Sequence, residues 1–457
     1  MENQKTSTSS INPYNGKTIR RYSYHTADEI AGKITKSAQT FRTWRNIALE
    51  ERCQRMLTVA DILEKYKNQY GRLISSEMGK PIAQAEAEVN KCAWACRYYA
   101  ENAQTMLKPE IVRTDASESY VRYDPLGPVL AVMPWNYPFW QVFRFVVPNL
   151  IVGNTAILKH ASNVSGCAQE LENIFLKAGF PEGVFQTIIA RSDQVADVID
   201  HPDIKAATLT GSVPAGRAVA GQCGKEIKKT VLELGGNNAC IVFEDADLDA
   251  HMDTLVQARF QNTGQSCIAG KRFIVLPGIY DKFLTAFRKA VEQLPPGDPQ
   301  DHNTKIGPMA SVSLAEELEN QVQQSVEKGA VIELGGHREG AVYDPTILTE
   351  VTPGMPAFDE ETFGPVAAII RARTEDHAIE LANQSVFGLG TSIFTSDIGK
   401  ALKYIPILED GAVFINELVK SDPRLPFGGT KQSGYGRELS LAGMREFTNQ
   451  KTVYIKS

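Results

Sequence analysis

The sequence has no long apolar run. Its best candidate, residues 145–152, is short and interrupted by Pro148, whereas a helix that crosses a bilayer needs about 20 apolar residues. The amino-terminal residues also lack the apolar centre of a secretory signal. We therefore expect no membrane partner and a cytoplasmic location.

Basic charge and paired cysteines are also scarce. The formal net charge is −6, which argues against a nucleic-acid partner because such proteins carry a basic footprint. The 7 cysteines are scattered and odd in number, which favours reduced thiols over a disulfide framework. Cys92 and Cys96 could share a helix face, but no histidine or third cysteine is near them. We predict that both are buried apolar residues and expect no metal site.

Two phosphate-binding patterns are missing or incomplete. No Walker-A lysine motif occurs, which argues against a nucleotide triphosphatase. The segment TGSVPAG at 210–216 follows a predicted strand and opens a predicted helix, and such a turn offers free backbone N–H groups to an anion. Because it lacks the second close glycine of the G-x-G-x-x-G pattern, a plain strand-to-helix turn explains it equally well.

Short strands that alternate with helices dominate what is present. A chain of 457 residues is long enough for about two or three domains. Residues 27–107 have helical periodicity, and an α/β alternation begins after Pro125 and restarts at Asn238. This alternation predicts mostly parallel sheets. The predicted strands are 120–124, 128–132, 155–159, 184–189, 206–209, 239–243, 272–276 and 451–456, and the main predicted helices are 139–150, 164–178 and 248–261.

Cys267 and Glu233 are the residues with the most chemical potential. Cys267 lies among small and polar residues, and Glu233 stands between two leucines before a glycine pair. A thiolate is a nucleophile, and apolar surroundings raise the pKa of a carboxyl group towards that of a useful base. Each residue alone also has a structural interpretation, as a core cysteine or a paired acid. Asn136 could likewise be only a turn residue.

Taken together, the motifs resemble the aldehyde dehydrogenase family over nearly the full chain and in the family's order. The matching motifs are PWNYP (134–138), Lys159, TGS (210–212), LELGG (232–236), GQSC (264–267), ETFGP (361–365) and PFGG (426–429). The resemblance implies an α/β fold with two Rossmann-like open-sheet domains and a small β oligomerisation arm. It places the cofactor-binding domain at 1–116 and 134–236, the catalytic domain at 237–424 and the arm at 117–133 and 425–457. It also implies a homodimer or a homotetramer.

The resemblance implies covalent catalysis at Cys267. The thiolate attacks an aldehyde to form a thiohemiacetal, and loss of hydride to a nicotinamide leaves a thioester. The Asn136 amide and the Cys267 backbone N–H hold the oxyanion, and Glu233 activates the water that releases the acid. A catalytically silent structural member of the fold is an alternative, but the intact trio of Cys267, Glu233 and Asn136 argues against it.

The cofactor implied by the resemblance is NAD or NADP. Lys159 and Glu361 would bind its two riboses, and Ser212 would bind the pyrophosphate. The residues that match the family's cofactor-binding positions are Trp135, Lys159, Gly211, Ser212, Glu361 and Phe363. Many NAD-preferring relatives have a glutamate three residues after this lysine, where Ser162 stands here. A hydroxyl leaves room for a 2′-phosphate that Lys159 could pair with, so the preference between the two cofactors is open.

Two further positions are similar to the succinate-semialdehyde dehydrogenases within that family. Arg144 matches their carboxylate-binding arginine, although a surface or interhelix arginine is the plain alternative, and Ser421 matches their serine before the PFGG motif. We therefore predict oxidation of succinate semialdehyde to succinate, with both residues on the distal carboxylate. Gln261 replaces a second arginine of some relatives, and Glu417 stands where a small residue is common. Glutarate semialdehyde or a broader range of aldehydes is the alternative.

Overall fold

Two open sheets organise the computed structural model, which describes residues 6–457. The first sheet has six strands, and only its edge strand Gly434–Tyr435 runs antiparallel to its neighbour. Strand order reverses between Pro128–Met133 and Ala206–Thr210, where open α/β sheets bind ligands at the carboxyl ends of the strands. Its strands, from edge to edge, are Gly434–Tyr435, Lys229–Glu233, Ala206–Thr210, Pro128–Met133, Thr155–His160 and Phe185–Ile188.

The second sheet has seven strands, of which only Val331–Leu334 is antiparallel to its neighbour. Every residue of Asn238–Val242 and Gly270–Val275 is buried, as expected for parallel strands that helices cover on both faces. Its strands, in order, are Val331–Leu334, Thr346–Thr349, Val366–Arg371, Gly270–Val275, Asn238–Val242, Thr391–Phe394 and Val413–Ile415.

Helices pack on both sheets. Those around the six-stranded sheet are Ala27–Trp44, Leu49–Lys65, Lys67–Met78, Ile82–Met106, Trp140–Val152, Ser165–Lys177, Val195–Asp200, Val213–Lys225 and Ser440–Glu446. Those around the seven-stranded sheet are Leu248–Phe260, Tyr280–Val291, Val312–Glu327, Pro356–Asp359, Glu375–Asn383 and Ile398–Tyr404. Short 3₁₀ helices cover Ser162–Val164, Ser192–Gln194, Gln261–Gly264 and Pro277–Ile279.

Smaller antiparallel sheets complete the fold. Thr448–Ile455 pairs with Glu118–Pro125 along its whole length, and Glu110–Ile111 adds a third strand. The strands predicted at 451–456 and 120–124 are therefore neighbours in one sheet. The two-stranded sheets join Ser7–Ile11 with Thr18–Ser23, Arg338–Glu339 with Val342–Tyr343, and Phe387–Gly388 with Thr430–Lys431.

Two predicted boundaries of the arm are wrong. Strand Pro128–Met133, assigned to the arm from sequence, pairs on both sides within the six-stranded sheet. Gly434–Tyr435 pairs with Lys229–Glu233, so the segment before the carboxy-terminal strand belongs to the body of the fold. The sequence pattern identifies strands but does not say which strand each one pairs with. The three-stranded sheet alone stays a candidate for the arm.

The predicted elements themselves agree closely with the observed ones. The strand predicted at 155–159 is Thr155–His160, and the helix predicted at 164–178 is Ser165–Lys177. Cys92 and Cys96 are both fully buried in one helix, as predicted. Within residues 6–457, no helix has the length and apolar character that a membrane crossing requires. The same residues contain no group of acidic, histidine and cysteine side chains that could hold a metal ion.

A buried carboxylate fixes the start of helix Trp140–Val152, all of whose residues are buried. Glu88 Oε1 accepts hydrogen bonds from the backbone N–H groups of Phe139 at 2.8 Å and Trp140 at 2.9 Å. A negative charge at this end also complements the helix dipole. Glu88 forms a buried ion pair with Lys80, which keeps it in place. The first turn of this helix is therefore held in place, and its residues Gln141 and Arg144 line the cavities described below.

Candidate active site

Cys267 lies in a turn that follows three left-handed residues. Asn262, Thr263 and Gly264 have φ values of 56°, 55° and 70°, and each non-glycine residue in this region costs about 1–3 kcal/mol. Hydrogen bonds hold the turn: Asn262 Nδ2 donates to Asn136 O at 2.9 Å and to Gln265 O at 3.0 Å. The turn that carries the sulfur is thus attached to the loop that carries Asn136.

Two N–H groups near Cys267 can donate hydrogen bonds to an oxyanion. Asn136 is buried and uses one amide hydrogen on Gln265 O at 3.2 Å. An amide nitrogen carries two hydrogens, so one remains for a ligand. Nothing within residues 6–457 accepts a hydrogen bond from the backbone N–H of Cys267. Both predicted oxyanion donors therefore have a free hydrogen, and their role stays a prediction.

The Cys267 thiol is protonated at neutral pH in this structure. Burial raises its pKa to about 11, and the charges of Arg144 and Lys271 oppose this shift only in part. Lys271 Nζ donates to Cys267 O at 3.1 Å and to Ser266 O at 2.8 Å. The nucleophile therefore needs a base to become a thiolate.

Glu233 has the character of such a base. Its side chain is buried, and neither carboxylate oxygen has a hydrogen-bond partner within the described chain. Burial raises the pKa of Glu233 well above its usual range, and the charge of Glu438 adds to this, while Arg144 and Arg437 oppose it. A Cβ atom at Gly428 would lie 2.8 Å from Glu233 Oε1, so this glycine makes room for the carboxyl group.

Two cavities meet at Cys267. The first has a volume of about 420 Å³ and the second about 840 Å³, and both are lined by Cys267 and Gln141. The sulfur therefore stands where one bound molecule can reach another. Predicted residues that line the first cavity are Trp135, Asn136, Gly211, Ser212, Glu361 and Phe363. Predicted residues that line the second are Arg144, Gln261 and Ser421.

The first cavity fits a nicotinamide dinucleotide. Ser212 precedes helix Val213–Lys225 and its side chain does not cap that helix, so the first N–H groups are open to a phosphate. The rings of Trp135 and Phe363 meet edge to face, with centroids 5.7 Å apart, and form an aromatic wall. A Cβ at Gly235 would collide with the Glu361 carboxylate, so the backbone there passes close to the cavity.

Lys159 and Ser162 lie outside the lining of both cavities. Lys159 is in strand Thr155–His160, and Ser162 is exposed just after that strand ends. Burial lowers the pKa of Lys159, and no nearby acid offsets this effect. A part-buried lysine without an acidic partner beside an exposed hydroxyl suits a phosphate group. Their contacts with the cofactor stay predictions.

Lys271 is a site residue that the sequence interpretation missed. Its ammonium contacts Glu361 Oε1 at 3.2 Å, and the same oxygen accepts the Gly236 N–H at 3.0 Å. The predicted ribose contact of Glu361 stays a prediction, because in this structure Lys271 binds its carboxylate. One signal was available: Lys271 stands directly before the strand predicted at 272–276, whose residues after Arg272 are all apolar, and buried lysines are rare unless paired.

Arg144 is a buried residue, which excludes the surface alternative. It forms an ion pair with Glu438, and its Nη2 donates to Thr210 Oγ1 at 3.0 Å. Its guanidinium also lies over the Phe427 ring, 4.9 Å from the centroid. Arg144 lines the second cavity, but Glu438 offsets its charge. The predicted contact between Arg144 and a substrate carboxylate stays a prediction.

Ser421 lies in the same cavity with two unexpected partners. Its Oγ accepts hydrogen bonds from Lys91 Nζ at 2.8 Å and from Trp140 Nε1 at 3.0 Å. Neither partner has a sequence signal, because they come from helices distant in the chain. Glu417 instead binds Lys420 at 2.6 Å and does not line the cavity.

Known proteins match this chain over nearly its full length. Residues 1–453 match the model of the aldehyde dehydrogenase family. A probable succinate-semialdehyde dehydrogenase [NADP(+)] of Synechocystis sp. is 47% identical over 448 residues, which cover 97% of this chain and 99% of that protein. Succinate-semialdehyde dehydrogenase [NADP(+)] 1 of Mycobacterium tuberculosis is 46% identical over 451 residues, with coverage of 97% and 99%.

A solved structure gives the same answer for the fold. Succinic semialdehyde dehydrogenase from Streptococcus pyogenes, in complex with NADP+, superposes with a TM-score of 0.96 at 37% identity, covering 98% of this chain and 100% of that one. The predicted α/β fold with two open sheets is therefore confirmed. The chain belongs to the aldehyde dehydrogenase family.

Proposed function

We propose that this enzyme oxidises succinate semialdehyde to succinate and reduces NADP+, with NAD+ as a second cofactor. One observation carries the proposal: the larger cavity is lined both by Cys267 and by Ser421, whose hydroxyl contacts the Lys91 ammonium. An aldehyde can reach the sulfur while a carboxylate at its other end meets hydrogen-bond donors. The relatives described above are succinate-semialdehyde dehydrogenases that use NADP+, which supports the same substrate and cofactor.

The first step forms a carbon–sulfur bond at Cys267. Glu233 takes the thiol proton, which its raised pKa favours, and the thiolate attacks the aldehyde carbon. The carbonyl oxygen gains negative charge as the thiohemiacetal forms. The free hydrogen of the Asn136 amide and the Cys267 N–H stabilise that charge.

The second step hydrolyses a thioester. When bound in the first cavity, the nicotinamide supplies a hydride acceptor for the carbon attached to Cys267. Glu233 first releases the thiol proton to solvent and then removes a proton from water, whose oxygen attacks the thioester carbon. The carbon–sulfur bond breaks, Cys267 leaves as the thiolate, and the product is a carboxylic acid that ionises. The unpartnered oxygens of Glu233 leave it free to bind that water.

Rates with matched aldehydes test the substrate. We expect kcat/KM for succinate semialdehyde to exceed that for butanal, which has the same chain length without the carboxylate. Glutarate semialdehyde tests the length of the cavity. If Arg144 contacts the carboxylate, Arg144→Ala lowers the ratio of kcat/KM for succinate semialdehyde to kcat/KM for butanal. Equal use of succinate semialdehyde and butanal by the wild-type enzyme would contradict the proposed substrate.

Ser162 provides the test of the cofactor. A glutamate at this exposed position would repel the 2′-phosphate of NADP and could bind the ribose of NAD. Ser162→Glu should therefore lower the ratio of kcat/KM for NADP+ to that for NAD+. Ser162→Gln, which has nearly the same size without the charge, is the matched control. An unchanged cofactor ratio in Ser162→Glu would contradict this role.

We also propose a homodimer or homotetramer in the cytoplasm. Strand Thr448–Ile455 has one neighbour in its sheet, and most of its residues are exposed. Such a free edge is able to pair with a second copy. All 7 cysteines are unpaired, which suits a reducing compartment. Light scattering measures the oligomeric state directly.

A further inference from the structure

Lys91 is a cation in the second cavity to which no role has yet been given. It belongs to helix Ile82–Met106, and its Nζ donates to Ser421 Oγ at 2.8 Å. The same ammonium lies 4.3 Å from the centroid of the Trp140 ring, a cation–π contact. Lys91 and Ser421 both line this cavity, so the ammonium and the hydroxyl form one polar patch on its wall.

The charge of Lys91 is available to a ligand, unlike that of Arg144. Arg144 already forms an ion pair with Glu438. Within residues 6–457 the Lys91 ammonium has neutral hydrogen-bond and ring partners, and it makes no ion pair with a carboxylate. Lys91 is partly buried, and a cation that loses water without gaining an anion is costly. A bound carboxylate would remove that cost.

The hydrogen-bond inventory of the patch fits a carboxylate. The Ser421 oxygen accepts from Lys91 and from Trp140, so its own hydrogen is free to be donated. An ammonium has three hydrogens, of which Lys91 uses one on Ser421. The patch can therefore donate from both residues to two oxygens of one anion. Trp140 holds the hydroxyl in the orientation this requires.

We propose that Lys91, together with Ser421, binds the distal carboxylate of the substrate, an inference that rests on the proposed function. Trp140 positions the two binding groups without contacting the anion's charge directly. The ligand class is a short aldehyde with a carboxylate at its far end. Lys91 is then the residue that makes the enzyme prefer a charged aldehyde over an uncharged one.

Lys91→Met tests this because it removes the charge and keeps much of the side-chain length. We expect kcat/KM for succinate semialdehyde to fall about 10- to 100-fold more than that for butanal, as loss of a charge-assisted hydrogen bond implies. Lys91→Arg should restore most of the preference. Lys420→Met is the matched control, since it removes a lysine of the same cavity that Glu417 already pairs, and it should leave the substrate ratio unchanged.

Other outcomes separate the inference from the proposed function. An equal loss with both aldehydes in Lys91→Met, or no loss, overturns the role of Lys91. A wild-type enzyme without preference for succinate semialdehyde overturns the proposed substrate instead. If Lys91→Met does not fold, inhibition of butanal oxidation by succinate gives a second test in Lys91→Arg and Ser421→Ala. Succinate should still inhibit Lys91→Arg and should inhibit Ser421→Ala more weakly. Unchanged inhibition in Ser421→Ala contradicts the subsite.

Discussion

At the scale of single residues, the site depends on two groups whose pKa values are raised by burial. The pKa of Cys267 is raised to about 11, and that of Glu233 is raised well above its usual range. A carboxylate whose pKa is raised takes a proton from a thiol or from water more readily than an ordinary carboxylate does. We therefore propose Glu233 as the base of both the attack and the hydrolysis.

Glu233→Gln separates these two steps. Glutamine cannot take the proton from water, so we expect the thioester to accumulate and steady-state kcat to fall about 10²- to 10⁴-fold. Rapid mixing should still show reduction of the cofactor by up to one equivalent per site, more slowly than in wild type. Mass spectrometry of the quenched protein should detect the acyl group on Cys267. Cys267→Ala is the control that abolishes the burst, and normal turnover by Glu233→Gln would contradict the role of the base.

The pKa of Lys91 predicts a pH dependence for substrate choice. This pKa is lowered to about 8, mainly by burial; Cys92, Glu88 and Asp422 oppose the shift, while Arg144 adds to it. Lys91 is thus charged below about pH 8 and neutral above it. Since the substrate carboxylate is ionised throughout this range, binding through Lys91 is present below pH 8 and is lost as the pH rises.

The measurement for Lys91 is a ratio. The ratio of kcat/KM for succinate semialdehyde to that for butanal cancels the ionisation of Cys267, which both substrates share. We expect this ratio to be constant up to about pH 7 and to decline above pH 8, because the Lys91 pKa is about 8. Lys91→Arg should show a flat profile over the same range, since arginine stays charged. A wild-type ratio that does not change with pH would disagree with the assignment.

Candidates for the nucleophile, the base and the oxyanion amide could be proposed from sequence, whereas their neighbours could not. Cys267, Glu233 and Asn136 stand in local motifs whose order is informative. Lys91 and Glu438 matter because distant segments bring them against Ser421 and Arg144. A contact between side chains hundreds of positions apart leaves no local pattern, so only the fold reveals it.

At the scale of elements, the helix that carries Arg144 is attached to the fold by a carboxylate from another helix. Glu88 accepts from the first N–H groups of helix Trp140–Val152 and pairs with Lys80 in the interior. The period of apolar residues predicts this helix well, as 139–150 against Trp140–Val152. Its cap could not be predicted, because the capping group lies far outside the local sequence.

Glu88→Gln should destabilise the protein strongly. The amide oxygen can still accept the helix N–H groups, but Lys80 is left as a buried charge without a partner. Breaking one side of a buried pair costs about 3–5 kcal/mol, so we expect a clear fall in the thermal denaturation midpoint. Lys80→Met combined with Glu88→Gln removes the stranded charge and should recover most of the loss. A double variant less stable than Glu88→Gln would contradict this account.

At the scale of the whole molecule, two cavities share Cys267 as a lining residue. The turn after strand Ala206–Thr210 supplies the first cavity, while Lys91 and Ser421 line the second. The sequence indicated this division of the chain, but it misplaced Pro128–Met133 in the arm, because strand partners depend on tertiary contacts. The linings of the two cavities have only Cys267 and Gln141 in common. We therefore expect the residues that select the cofactor and those that select the aldehyde to act separately.

This separation predicts additive behaviour. Ser162→Glu should change the NADP+ to NAD+ ratio and leave the preference for succinate semialdehyde over butanal intact, whereas Lys91→Met should do the reverse. Changes at sites without shared partners usually add within about 0.3–0.5 kcal/mol, so the double variant should show both changes at the sizes seen singly. A complete cycle of kcat/KM values with both aldehydes and both cofactors measures the coupling. If the aldehyde preference of Ser162→Glu depends on which cofactor is bound, the two cavities are coupled through Cys267. That result would contradict their independence.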